Sequence, residues 1–256
     1  MILTIDIGNS RIKWAQWQLG VIVKRDAIFY GAEDYSSVVD DFFSTVEKPS
    51  RIFVVCVAAN ELTKHLDEWV KQHWQLPAEY LRTAKQYKNV IHAYSDPAQH
   101  GADRWAGVVA ANQSCPENSL CVIGAGTATT FDFVDKNARH LGGYILPSYA
   151  TMRASLLADT ANVSAEFKPY LDAAVIPDNT SDAVNQGCHK LLQAGIREIC
   201  QLAKNEMSGQ VQIIITGGYA ETILAYPDMP VMLHKPDLVM QGLYSIMLDI
   251  DVGMGS

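Results

Sequence analysis

The 256-residue sequence predicts an α/β protein of two tandem lobes, each a mixed β-sheet flanked by helices, with a cleft between them. Three observations predict it. A strand, a glycine turn and two further strands open the chain at Ile2, and the same order returns at Ser119. Each opening is followed by alternating helix and strand. A polar stretch with a proline, Asn112–Asn118, lies between the halves and is the best candidate linker. The predicted lobes are residues 1–115 and 116–256.

Ile2–Ile7 alternates as a strand does, Gly8-Asn9-Ser10 is a turn signal, and Arg11–Trp17 reads as the returning strand. A third apolar run, Val21–Val23, completes a meander. Tyr35, Val38, Val39, Phe42, Phe43 and Val46 recur at helical spacing. Arg51–Val57 is a buried strand by its unbroken apolar run. Asn60–Trp74 is a helix, residues 77–100 are more irregular, and a further helix starts near Gly101. In the second half, Ser119–Ile123, Ala128–Val134 and Leu141–Leu146 are predicted strands. Helices are expected over Ser148–Asp159 and Thr180–Met207. A buried strand, Val211–Thr216, leads to Gly217-Gly218, a short helix, a short strand near Val231 and a last helix over Asp237–Leu248.

Composition narrows the function classes. Apolar residues make up 48% and the net charge is -8, which argues against a broad nucleic-acid surface built from clustered Lys and Arg. An acidic chain can still bind phosphate through backbone N–H groups. Five cysteines at wide spacing, with no C-x-x-C pair, fit neither a disulfide framework nor a zinc site and suit a reducing cytoplasm. The N-terminus lacks the pattern of a signal peptide, and no apolar run approaches the ~20 residues that span a bilayer. The seven histidines show no metal-ligand spacing and are expected at the surface, solvated or hydrogen-bonded.

Five short segments can carry chemistry. In Asp6-Ile-Gly8-Asn9-Ser10-Arg11, with Lys13 beyond, a glycine turn between strands lets backbone approach a phosphate, and Asp6 at the strand end can hold magnesium. An ordinary hairpin turn uses the same residue types. Gly124-Ala-Gly126-Thr127 looks like a dinucleotide fingerprint, but that fingerprint opens a helix, whereas Thr129–Val134 has strand periodicity. A second phosphate loop fits better, and two such turns at equivalent places predict a polyphosphate gripped in the cleft. In Tyr94-Ser-Asp-Pro97-Ala-Gln-His-Gly101-Ala102-Asp103-Arg104, Asp103 can accept a hydroxyl proton and Arg104 can bind an anion. Plain helix-start chemistry explains that spacing equally well. Asn179-Thr180 reads as a helix cap. Gly217-Gly218 permits flat approach of a base or ribose, or is a packing turn. No G-x-x-x-x-G-K-[ST] loop and no G-x-S-x-G elbow occur.

Taken in order, Asp6-Ile-Gly8-Asn9-Ser10, Tyr94-x-x-Pro97-x-x-x-Gly101-x-Asp103-Arg104, Gly126-Thr127-Ala128-Thr129-Thr130, Gly142–Pro147, Asn179-Thr180 and Thr216-Gly217-Gly218 resemble the type III pantothenate kinases. That family belongs to the sugar kinase, actin and heat-shock chaperone superfamily. The resemblance implies actin-like (ribonuclease H-like) lobes with a nucleotide cleft between them. It implies ATP-dependent phosphorylation of pantothenate to 4'-phosphopantothenate, the first step of coenzyme A biosynthesis, in the cytoplasm. Asp6, Gly8, Asn9, Ser10, Arg11, Lys13, Thr127, Gly217 and Gly218 would bind ATP, with magnesium at Asp6, directly or through water. Asp103 would be the base, and Tyr94, Gly101, Ala102, Asp103, Arg104 and Thr180 would line the pantothenate site. A homodimer is implied, with Thr180 serving its own or its partner's site. Family members hold a potassium or ammonium ion on an Asp three residues before the Thr of the second loop. Gly124 stands there in this chain, which leaves the ion requirement open. Two readings stay beside this one: a non-catalytic transcription accessory factor on the same fold, and a kinase for another hydroxylated carboxylic acid.

Overall fold

A computed structural model describes residues 1–30, 35–58, 60–159, 165–167 and 176–252. Its first elements are β1 (Ile2–Ile7), β2 (Arg11–Gln18), β3 (Val21–Phe29), α1 (Tyr35–Phe43), β4 (Arg51–Cys56), α2 (Asn60–His73), β5 (Ala78–Tyr80), β6 (Gln86–Tyr87), β7 (Val90–Ile91) and α3 (Ala102–Ser114). They are followed by β8 (Ser119–Ala125), β9 (Ala128–Val134), β10 (His140–Pro147), α4 (Tyr149–Asp159), α5 (Thr180–Glu206), β11 (Val211–Thr216), α6 (Ala220–Leu224), β12 (Leu233–His234) and α7 (Leu238–Val252). The chain forms two compact units. One holds Met1–Lys88, Tyr94–Ala110 and the chain from Asp237 onward; the other holds Asn89–Ala93 and Ala111–Pro236.

The first unit is built on a five-stranded sheet in the order β3-β2-β1-β4-β5. β1 pairs antiparallel with β2 and parallel with β4, and β5 joins β4 in parallel. Side chains alternate along a strand, and β1 uses both faces. Leu3, Ile5 and Ile7 enter a core with Phe42, Phe43, Leu62, Leu66 and Trp69 of α1 and α2. Ile2 faces the other way, against Met240 and Tyr244 of α7, and Thr4 and Asp6 share its side by the same alternation. On that side Gly242 of α7 meets α3: a Cβ added there would lie 1.9 Å from the Ala106 carbonyl oxygen. Glycine is what lets these two helices touch backbone to backbone.

The second unit repeats the plan. Its sheet runs β10-β9-β8-β11-β12, with β8–β9 and β9–β10 antiparallel and β8–β11 and β11–β12 parallel. Cys121, Ile123 and Ala125 of β8 pack with Ile213 and Ile215 of β11 against Cys188, Leu192, Ile196 and Cys200 of α5. All five cysteines are free thiols. Among the described residues, no helix is long and apolar enough to cross a membrane.

Several expectations need correction. The proposed linker begins inside α3, which continues through Ser114 and buries Asn112. The polar composition of that helix end concealed it. β3 runs to Phe29, well past Val23; as an exposed edge strand it needs no apolar alternation, so Lys24–Asp26 gave no signal. The more irregular stretch 77–100 holds the short strands β5–β7 and a 3-10 turn at Pro97–Gln99. Histidines are not all at the surface. His92, His100, His140 and His189 are 2–3% exposed. Partners make that burial tolerable: His140 Nε2 lies 3.0 Å from Asp132, and His189 Nδ1 lies 2.7 Å from the Tyr226 hydroxyl.

Candidate functional site

In the first unit the site starts from the β1–β2 register, which places Asp6 opposite Lys13. Lys13 Nζ donates to Asp6 Oδ2 at 3.5 Å. Asp6 is 7% exposed, and its pKa is raised. Burial is the largest cause, the Lys13 charge opposes it, and the negative charge of Asp103 adds to it. Asp6 and Asp103 therefore stand within electrostatic reach of each other, although 97 positions apart in the chain. Cys56, at the end of β4, senses both carboxylates, and its thiol is pushed up mainly by burial. Sequence reading missed this cysteine, because nothing in an apolar strand shows which neighbour its last residue meets.

The turn between β1 and β2 is closed by Gly8 N–H donating to the Arg11 carbonyl at 3.0 Å. Asn9 is exposed at its tip. The Arg11 guanidinium lies over the Phe29 ring, 3.7 Å from its centre.

Asp103 lies in the first turn of α3, where a carboxylate is favoured by the helix dipole. Its Oδ1 accepts from the Arg104 N–H at 2.8 Å. Gly101 precedes the helix, and its carbonyl accepts from Trp105 N–H at 3.0 Å. A Cβ at 101 would stand 2.6 Å from Asp103 Oδ1, so the glycine leaves room for the carboxylate. Tyr94 sits in the same unit, its ring 5.3 Å from His100 and its carbonyl accepting from Lys85 Nζ at 2.6 Å. The structure thus brings Asp6, Lys13, the first turn, Tyr94 and Gly101–Arg104 into one unit.

The remaining predicted residues belong to the second unit. Gly126 N–H donates to the Ala128 carbonyl at 3.0 Å, closing the β8–β9 turn, and Thr127 is exposed at its tip. The Thr127 carbonyl accepts from Thr151 Oγ1 of α4 at 2.9 Å, and Thr151 N–H is capped by Ser148. Gly217 has φ +102°, and a Cβ there would fall 2.3 Å from the Ala125 carbonyl oxygen. Backbone packing beneath the turn accounts for this glycine, while Gly218 is exposed. Thr180 opens α5 in an exposed position, and Asn179 caps the helix by accepting from Asp182 N–H at 2.9 Å.

Asp6 and position 124 differ in how they suit metal ions. At Asp6 burial and the Asp103 charge both resist ionisation, and the Lys13 ammonium opposes them. A divalent cation offsets that resistance, so Asp6 fits magnesium. Position 124 does not fit a carboxylate-held monovalent cation. Gly124 offers no side-chain oxygen, and a Cβ there would stand 2.6 Å from the Thr130 hydroxyl.

Residues 2–202 match the family model for type III pantothenate kinase. The type III pantothenate kinase of Nitrosococcus oceani is 32% identical over 257 aligned positions, covering 97% of this chain and 94% of that one. Among solved structures, a Sinorhizobium meliloti protein described as a 2-dehydro-3-deoxygalactonokinase superposes with a TM-score of 0.62 at 12% identity, covering 98% of this chain and 99% of the other. A Campylobacter jejuni protein described as a Baf family transcriptional activator gives 0.59 at 22% identity, with the same coverage. These last two likenesses carry the actin-like fold.

Proposed function

The chain belongs to the type III pantothenate kinase family, and from that premise we propose how its residues divide the transfer of the γ-phosphoryl group of ATP to pantothenate. The observation that carries the assignment is that Asp6 and Asp103 lie in one unit, with the Asp103 charge among the causes that raise the Asp6 pKa. It supports a phosphate-side carboxylate and an acceptor-side base working on the same reaction.

Gly8, Asn9, Ser10, Arg11 and Lys13 bind ATP phosphates, with Thr127 of the second turn and Gly217-Gly218 on the adenosine side. Asp6 holds magnesium, which when bound neutralises charge on the phosphates. Tyr94, Gly101, Ala102, Arg104 and Thr180 position pantothenate, with Arg104 suited to its carboxylate. Asp103 takes the proton of the primary hydroxyl as its oxygen attacks the γ-phosphorus. The bond from that phosphorus to the β–γ bridging oxygen breaks, and ADP leaves. Positioning and charge neutralisation supply most of the acceleration, proton removal a smaller share.

The working form we propose is a cytoplasmic homodimer. The free thiols suit a reducing compartment. Edge strand β10 exposes Leu141, Tyr144 and Ile145, an apolar edge of the kind a second subunit covers.

One preparation tests both readings. ADP release is measured with ATP, magnesium and a panel of hydroxylated carboxylic acids, and the particle mass is read by light scattering. Selective turnover of pantothenate at twice the chain mass is expected. Turnover of another acid in its place assigns a different substrate. No ADP with any acid favours the transcription-factor reading that the Campylobacter neighbour's description raises.

A further inference from the structure

The carbonyl oxygens of the first glycine turn are not left to water. The Tyr30 hydroxyl donates to the Gly8 carbonyl, and the Tyr30 backbone N–H donates to the Ser10 carbonyl at 3.2 Å. One residue therefore engages two of the turn's peptide groups, one with its side chain and one with its backbone. It does so from immediately beyond the end of β3, an edge strand most of whose side chains lie in solvent.

The consequence follows from peptide geometry. In a planar trans peptide the C=O and the next N–H point in opposite directions. Holding the Gly8 and Ser10 oxygens toward Tyr30 turns the N–H groups of Asn9 and Arg11 away from it. A glycine turn can otherwise rotate its peptide planes at small cost, and a rotated plane would aim an oxygen where a phosphate needs a donor. The neighbouring Phe29 ring lies under the Arg11 guanidinium, so the end of β3 constrains both a peptide plane and a side chain of the turn.

We infer that Tyr30 is a positioning residue for the kinase reaction: it fixes the peptide orientation of the first phosphate turn so that its N–H groups are presented to ATP. This inference rests on the phosphate-binding reading of that turn. It predicts a selective effect, because the hydroxyl acts on the nucleotide side and not on the acceptor side. Tyr30→Phe keeps the ring and the backbone bond and removes the hydroxyl that donates to Gly8.

The test compares the parent, Tyr30→Phe and Ser10→Ala by steady-state kinetics in both substrates, with thermal midpoints and direct binding of a non-hydrolysable ATP analogue. The expected result for Tyr30→Phe is a KM for ATP raised roughly fivefold to tenfold, the scale of one lost hydrogen bond to a constrained group. Analogue binding weakens to match, and the KM for pantothenate at saturating ATP stays within about twofold. If Ser10→Ala weakens ATP and Tyr30→Phe does not, the turn binds phosphate but Tyr30 does not orient it, and the inference fails alone. If neither change touches ATP, the phosphate-turn reading fails and takes the inference with it. A fall in both KM specificities in step with a lowered thermal midpoint marks Tyr30 as merely structural and also overturns it.

Discussion

Asp6 is a carboxylate set where its charge is resisted. Burial raises its pKa, Asp103 raises it further, and Lys13 works against both. A raised folded-state pKa means the folded chain holds this proton more tightly than the unfolded chain does. Ionising Asp6 therefore costs stability as pH rises past the ordinary carboxylate range. The proposed magnesium role asks for the opposite state, because only an ionised carboxylate holds a divalent cation well. Lys13→Met removes the charge that favours ionisation. The acid limb of kcat/KM for ATP is expected to move to higher pH than in the parent, measured across the acidic range at saturating magnesium. An unmoved limb would show that Asp6 is not the group titrating.

At this scale the sequence was partly legible. Glycine, asparagine and serine between two strands announce a turn, and the order of six short motifs announced a family. Cys56 and Tyr30 were not legible. Their surroundings are set by residues distant in sequence, and an isolated Cys or Tyr in an apolar or edge segment carries no mark of its neighbours. Packing was one of two readings open for Gly217, but its partner was not legible, since the Ala125 backbone that excludes a side chain there is distant in sequence.

Among elements, α3 matters most, because it carries Asp103 and Arg104 in its first turn. Its position is set by contact with α7, where Gly242 meets the Ala106 backbone and Gly107 meets Leu238. Small residues at such crossings let helix axes approach closely. Gly242→Ala forces a methyl group into a backbone carbonyl, which only separation of the helices relieves. The expected cost is about 1–3 kcal/mol of stability. The thermal midpoint should fall by several degrees, at roughly 2–4 °C per kcal/mol for a chain of this size. Because α3 moves, kcat should fall as well, with no residue of the site altered. A parental midpoint and kcat would show that the crossing has slack. Both helices were expected from the sequence, but not that they touch: α7 is apolar on much of its surface, and such a helix does not announce which sheet it covers.

For the whole molecule, the repeated element order was the legible feature, and two five-stranded sheets of the same plan answer to it. The return of the C-terminal helix to the first sheet was not, because the residues it meets, Ile2 and Ala106 among them, lie far earlier in the chain. The kinase reading asks the chain to hold ATP, hold pantothenate and remove a proton in one cycle. Removing the base alone separates the last task from the other two. Asp103→Asn keeps the shape and the hydrogen bond to Arg104 N–H that the remaining side-chain oxygen can accept. Turnover of pantothenate by this variant, with the thermal midpoint and ATP binding measured on the same sample, is the most direct measurement. The account predicts kcat lowered roughly 100-fold or more with fold and ATP binding retained; turnover near the parental rate would contradict it.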